Sequence, residues 1–91
     1  MAVIKLGKRG SMAVKDGALT FAPAYAVTAV DTTGAGDSFN AGFVSAWLRG
    51  LPVEDCLKYG NGCGALSVTK LGGNTGFPFR NELEQWIRNH E

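Results

Sequence analysis

The run Asp31-Thr-Thr-Gly-Ala-Gly-Asp-Ser-Phe-Asn-Ala-Gly-Phe43 decides the fold and carries the chemistry of this chain. A polar, glycine-rich segment ends at Asp37, and an apolar pattern with helical spacing begins directly after it. The free N–H groups in the first turn of a helix carry partial positive charge and bind anions well. Gly34 and Gly36 would let a phosphate come close to the backbone. The run therefore predicts an anion cradle at the start of a helix.

Asp37 has two interpretations on spacing alone. A carboxylate in the first turn stabilises a helix by interacting with its dipole. Alternatively, the carboxylate is a base that takes a proton from an alcohol attacking a phosphate, which suits phosphoryl transfer because that reaction depends mainly on positioning. The run matches neither standard nucleotide motif: Asp-Ser follows Gly36 where a Walker A loop needs Lys-Ser/Thr, and Phe39 replaces the last glycine of G-x-G-x-x-G.

The first quarter of the chain is predicted to form short strands. Apolar runs separated by glycine-containing turns indicate an antiparallel arrangement, because the strands are close in sequence and tightly joined. The predicted strands are Ala2 to Leu6, Ser11 to Val14 and Ala18 to Phe21.

Three helices are predicted after the strands. The first follows Asp31 and ends at Gly50 and Pro52, the second runs from Pro52 to about Thr69, and the third follows Asn81. Asn81 resembles an N-cap, and Glu84 completes a capping-box pattern. Trp47 and Trp86 lie on apolar helix faces and are predicted core residues.

Composition narrows the class of protein. The chain has 91 residues and a net charge of +1, which fits one small domain and gives no indication of nucleic-acid or membrane binding. Cys56 and Cys63 are about 10 Å apart along one predicted helix, too far for a disulfide. We expect reduced, buried cysteines in a cytoplasmic protein, with no signal peptide and no membrane span.

The run from Val30 to Phe43 resembles the C-terminal signature of the ribokinase (PfkB) family of carbohydrate and nucleoside kinases. Leu6-Gly-Lys-Arg-Gly-Ser11 is similar to the family's turn near the ATP phosphates, and the segment from Asn61 to Gly72 is similar to the later helix and loop around adenine. The resemblance implies an α/β fold: the C-terminal portion of a ribokinase-like α/β sandwich, with short strands followed by three helices. It covers the whole chain, residues 1–91, but only the last third of a typical member.

The resemblance also implies roles for individual residues. Asp37 matches the catalytic base, and the backbone of Gly34, Ala35 and Gly36 matches the anion hole. The residues matching ATP contacts are Gly7, Gly10, Asn61 and Lys5. Lys5 stands where a threonine is common, so it is either a cationic phosphate contact or a solvated strand end.

The cofactors implied are ATP with Mg²⁺ and, in some members, K⁺. The residues matching the monovalent-cation site are Asp31, Thr33, Ser67, Lys70 and Gly72. Gly76 stands where the last cation ligand is often a serine, so the K⁺ requirement stays open.

Two hypotheses for function follow. In the first, the chain is the nucleotide-binding part of an ATP-dependent sugar kinase, whose N-terminal substrate-binding part and lid are absent from these 91 residues. In the second, it is a truncated, non-catalytic module that binds nucleotide or self-associates. Under either hypothesis we expect the isolated chain to be inactive on sugars and to self-associate through an exposed apolar surface. Ala2 to Leu6 is nearly continuous apolar sequence, which is typical of a strand covered on both faces.

Overall fold

Three short strands form an antiparallel meander at the start of the chain. In the computed structural model, which describes residues 1–27, 35–68 and 80–90, the strands are β1 (Ala2–Lys5), β2 (Ser11–Lys15) and β3 (Ala18–Ala22), in the order β1-β2-β3. A 3₁₀ turn, Gly7–Arg9, joins β1 to β2. Asp16 and Gly17 join β2 to β3 with positive φ angles of 52° and 80°, as a tight two-residue hairpin requires. The predicted strands and their antiparallel pairing are confirmed.

The three helices follow in the predicted order. They are α1 (Ala35–Leu48), α2 (Val53–Val68) and α3 (Arg80–His90). The α3 prediction is wrong in one detail: Arg80 and Asn81 both lie inside the helix, so Asn81 is not its N-cap. The Glu84 carboxylate instead accepts a hydrogen bond from the Tyr59 hydroxyl on α2, at 2.7 Å.

The end of α1 is fixed by a Schellman motif. The N–H of Gly50 donates to the Trp47 carbonyl at 3.0 Å, and the N–H of Leu51 donates to the Ala46 carbonyl at 3.2 Å. Gly50 has a φ of 76°, which glycine adopts without a steric cost, and Pro52 prevents the helix from continuing. This connection turns the chain back so that α2 packs along α1.

One face of the sheet packs on the helices. Strand register places Ala13 and Ala22 on this inner face, where both are buried against Phe39, Phe43 and residues of α2. The main core consists of Ala13, Ala22, Phe39, Phe43, Ala46, Cys56 and Leu57. A second cluster joins α2 to α3 and consists of Cys63, Leu83 and Ile87, with Tyr25 and Trp86 packed against it.

Both cysteines are buried and free, as the sequence predicts. Burial raises the pKa of the Cys63 thiol to about 11, because the thiolate is poorly solvated among apolar side chains. Trp47 is less buried than the sequence predicts. Its side chain stacks on Phe43 and lies beneath the Lys15 ammonium, but 39% of the residue remains exposed. Trp86 is partly buried beside Tyr25.

The other face of the sheet is apolar and exposed. The paired rows Ala2–Val14–Leu19 and Ile4–Met12–Phe21 point away from the helices. Leu19 is 62% exposed and Phe21 is 51% exposed. We call this set of six side chains the outer sheet face. β1 is therefore covered on one face only within the described residues.

Glycines let α1 and α2 approach closely. A Cβ at Gly42 would lie 2.6 Å from the Tyr59 carbonyl oxygen and 2.7 Å from Cys63 Sγ, and a Cβ at Gly60 would lie 2.7 Å from the Phe39 ring. Gly62 of α2 lies just as close to α3, because a Cβ there would be 2.9 Å from the Leu83 side chain and 3.0 Å from that of Ile87.

Gly42→Ala should therefore destabilise the chain. The new methyl group must displace backbone, and we expect a loss of about 1–3 kcal/mol despite alanine's better helix propensity. Gly64→Ala is the matched control, since its nearest contact among the described residues would be 3.5 Å away. That variant should be stable or gain up to about 1 kcal/mol. Urea denaturation followed by circular dichroism measures both; equal stabilities would contradict the close-approach role of Gly42.

Candidate nucleotide site

The start of α1 carries the predicted catalytic residues. Ala35 and Gly36 are the first two residues of the helix, and Asp37 follows as an exposed acid in the first turn. Gly34 lies outside the described residues. A Cβ at Gly36 would meet only Lys5 Nζ, at 3.6 Å, within the described part of the chain. Packing against the described residues therefore does not require glycine at this position.

Lys5 connects the end of β1 to this helix start. Its ammonium donates to Asn40 Oδ1 at 3.0 Å and to the Gly36 carbonyl at 3.5 Å, and it lies 5.5 Å from the centre of the Phe39 ring. The Lys5 side chain is exposed, but its ammonium is held over the first turns of α1. The cationic phosphate contact stays a prediction.

The turn after β1 brings two further predicted residues near the same strand end. Gly7 has a φ of 60° with open space where a Cβ would point. Gly10 has a φ of 113°, and a Cβ there would overlap the Ala22 carbonyl. Gly10 is therefore required by the close packing of the turn on the end of β3, whereas a Cβ at Gly7 would meet none of the described residues. The exposed side chains of Lys8 and Arg9 add positive charge to the turn.

Asn61 has a structural role that sequence reasoning missed. Its Oδ1 accepts a hydrogen bond from the buried Ser11 hydroxyl at 2.8 Å, and its Nδ2 donates to the carbonyls of Ala22 and Pro23, each at 3.1 Å. Both amide hydrogens are used by these two carbonyls. An adenine contact, which stays a prediction, would have to use the remaining lone pair of Oδ1.

Most residues of the predicted monovalent-cation site are not among those that the structure describes. Asp31, Thr33, Lys70 and Gly72 lie outside the described residues. Ser67 is in the last turn of α2, and its side chain is not described. Among the described residues, no group of three or more His, Cys, Asp or Glu side chains converges as a metal site.

A polar network connects the end of α1 to the middle of α2 and of α3. Arg49, which follows α1, donates to Glu84 of α3 at 3.4 Å and to the Tyr59 hydroxyl at 3.5 Å. Burial and the Glu84 hydrogen bond raise the pKa of Tyr59. A groove of about 310 Å³ beside this network is lined by Leu51, Asp55, Lys58, Tyr59, Glu84, Ile87 and Arg88. It contains none of the predicted site residues.

Comparison with known proteins identifies the family. Residues 1–80 match the model of the pfkB family carbohydrate kinases. The chain belongs to this family. It is 35% identical over 85 residues to a ribokinase from Haemophilus influenzae, covering 93% of the chain and 28% of that relative. No described helix is both long and apolar enough to cross a membrane.

Solved structures agree with the fold. The chain superposes on ribokinase from Thermotoga maritima with a TM-score of 0.87 and 38% identity, covering 96% of the chain and 29% of that protein. The Arabidopsis thaliana ribokinase solved with ribose and ATP gives a TM-score of 0.88 and 32% identity, covering 94% of the chain and 28% of that protein. The fold is therefore a ribokinase-like α/β fold, as predicted, and the chain spans a little under three tenths of the length of these pfkB-family relatives.

The hydrogen bonds of Asn61 make a testable prediction about stability. Asn61→Leu should cost about 1–3 kcal/mol of unfolding free energy, because the buried Ser11 hydroxyl and the carbonyls of Ala22 and Pro23 lose their partners. Asn89→Leu, an exposed asparagine on α3, should change stability by less than about 0.5 kcal/mol. Chemical denaturation compares the two. An Asn61→Leu variant as stable as the wild type would show that these hydrogen bonds contribute nothing to the fold.

Proposed function

We propose that residues 1–91 are the C-terminal nucleotide-binding portion of an ATP-dependent sugar kinase. The observation that carries the proposal is the start of α1, where an exposed carboxylate at Asp37, open space at Gly36 and the Lys5 ammonium meet in a chain of the pfkB family. The alcohol would be presented by a substrate-binding part and lid outside these 91 residues. This division explains why the isolated chain should not phosphorylate sugars by itself.

Each group at the helix start has a proposed task. The Asp37 carboxylate accepts the proton of the attacking hydroxyl. The backbone N–H groups of Gly34, Ala35 and Gly36 stabilise negative charge on the transferred phosphoryl group. Lys5 adds a full positive charge beside them, at 3.5 Å from the Gly36 carbonyl. The turn containing Gly7 and Gly10 follows directly from the same strand end and would contact the nucleotide phosphates.

Mg²⁺ is proposed to arrive with the nucleotide. When bound, it would neutralise charge on the ATP phosphates. The described residues contain no group of three or more His, Cys, Asp or Glu side chains that could bind the ion, so the ATP phosphates would be its main ligands. A K⁺ site at Asp31, Thr33, Ser67, Lys70 and Gly72 is the corresponding proposal for the monovalent ion.

Asp37→Asn tests the catalytic assignment. Residues 1–91 would replace the matching segment of Thermotoga maritima ribokinase, whose fold superposes on them. We expect the chimera to phosphorylate ribose, and Asp37→Asn to lower kcat by about 10²- to 10⁴-fold with little change in ATP affinity, because the base acts on the alcohol. Asp16→Asn, an exposed acid in the hairpin turn, is the matched control. A near-normal kcat for Asp37→Asn would contradict the assignment.

The outer sheet face supports a second candidate function, self-association. Ile4, Val14, Leu19 and Phe21 together form an apolar surface on a sheet whose edge strands, in the described part of the chain, are β1 and β3. Such surfaces pair readily with another chain. A self-associating module that binds nucleotide without catalysis uses this face and needs no alcohol site.

Leu19→Lys combined with Phe21→Lys should abolish self-association. Two charges would have to be desolvated in any contact made through the outer sheet face. Leu48→Lys on α1, at a residue 80% exposed and away from the sheet, is the control and should leave association unchanged. Sedimentation velocity over a concentration series measures the effect. A monomeric wild-type chain at high concentration would rule this function out.

A further inference from the structure

Asn40 holds the lysine that faces the proposed phosphate site. Its Oδ1 lies 3.0 Å from Lys5 Nζ, and since lysine is only a donor, the atom facing it must be the amide oxygen. Asn40 is one turn beyond Gly36 on α1 and is exposed. The contact joins residues 35 positions apart in the sequence, so it fixes the end of β1 against the first turns of α1.

All of the contacts to the Lys5 ammonium are neutral within the described residues. They are the Asn40 amide, the Gly36 carbonyl and the Phe39 ring. The described ion pairs are Arg49–Glu84 and Lys58–Glu54, so no described carboxylate is paired with Lys5. No described carboxylate therefore offsets the positive charge of Lys5, which lies at the positive end of the α1 dipole. A cation is unfavourable there, and an anion that contacts both is favoured.

We propose that Asn40 is a positioning residue that presents the Lys5 ammonium to a phosphate group of the nucleotide. The inference rests on the proposed function, which places that nucleotide at the start of α1. A neutral acceptor suits this role, because it orders a long, flexible side chain without cancelling its charge. An acid at position 40 would bind Lys5 more firmly, but the resulting ion pair would neutralise the ammonium, and the carboxylate would repel phosphate.

The substitution Asn40→Asp separates positioning from simple structural support. If Asn40 only supported the fold, a carboxylate would serve equally well, and ATP affinity would not change. Under the proposal, Asn40→Asp keeps or raises the melting temperature but weakens ATP binding about tenfold, because the charge at Lys5 is neutralised. Asn40→Ala frees Lys5 and weakens binding about threefold.

A double-mutant cycle with Lys5→Met tests whether Asn40 acts through the lysine. Lys5→Met should weaken ATP binding about tenfold, and Asn40→Ala should have no further effect in that background. Isothermal titration of the full 91-residue chain with ATP and Mg²⁺ gives the dissociation constants, and thermal melting reports stability. Asn89→Ala, an exposed asparagine on α3, is the control and should bind ATP like the wild type.

The outcomes distinguish this inference from the proposed function. Wild-type binding that is unchanged by Asn40→Asp, or an Asn40→Ala effect that persists fully in Lys5→Met, overturns the positioning role alone. A wild-type chain that binds no ATP overturns the nucleotide-binding function and the positioning role together. Selective loss of affinity in Asn40→Asp, with the fold intact, supports both.

Discussion

The close contact between α1 and α2 is the constraint on which the rest of the structure depends. Gly42 brings the backbone of α1 against the Tyr59 carbonyl, and Gly60 admits the Phe39 ring into α2. The inner face of the sheet then packs on the same pair of helices through Ala13 and Ala22. Because α2 and the inner face of the sheet both pack against α1, its N-terminal turn has a defined position relative to the end of β1. The candidate site consists of those two ends.

A row of aromatic rings along α1 contacts the two lysines of the inner sheet face. Phe39 stacks on Phe43 at 6.2 Å and Phe43 on Trp47 at 6.5 Å, with Lys5 over the first ring and Lys15 over the last. Both lysines end strands whose other inner-face residues are small. Their stems can therefore lie along the rings while their charges stay near solvent. The same geometry that completes the core thus places one cation beside Gly36.

Much of the fold could be predicted from local sequence signals. The Asp16-Gly17 turn, the Gly50-Leu-Pro52 stop and the 3.6-residue spacing of Phe39, Phe43 and Ala46 each act over a few residues, so they are visible without the tertiary structure. The start of α3 was missed by two residues because an N-cap pattern competes with tertiary contacts, and Glu84 accepts a hydrogen bond from Tyr59. Trp47 was predicted as core from its position on α1, but the sheet ends at Lys15 and covers it only in part.

The site could be predicted only as far as its motif extends. The run ending at Asp37 located the helix start, whereas the partners of Lys5 and Asn61 lie 31 to 50 residues away in sequence. No spacing rule connects a strand end to an asparagine one turn into a helix, because the contact depends on how α1 lies across the sheet. Asn61 shows that a motif also cannot predict which hydrogen bonds the protein itself makes. A motif assigned it to a ligand, whereas its hydrogen bonds to Ser11, Ala22 and Pro23 already give it three protein partners. The residues predicted to contact the nucleotide therefore differ in how far protein groups already satisfy them. Asn61 has three protein hydrogen-bond partners, whereas the Lys5 ammonium has only neutral partners among the described residues.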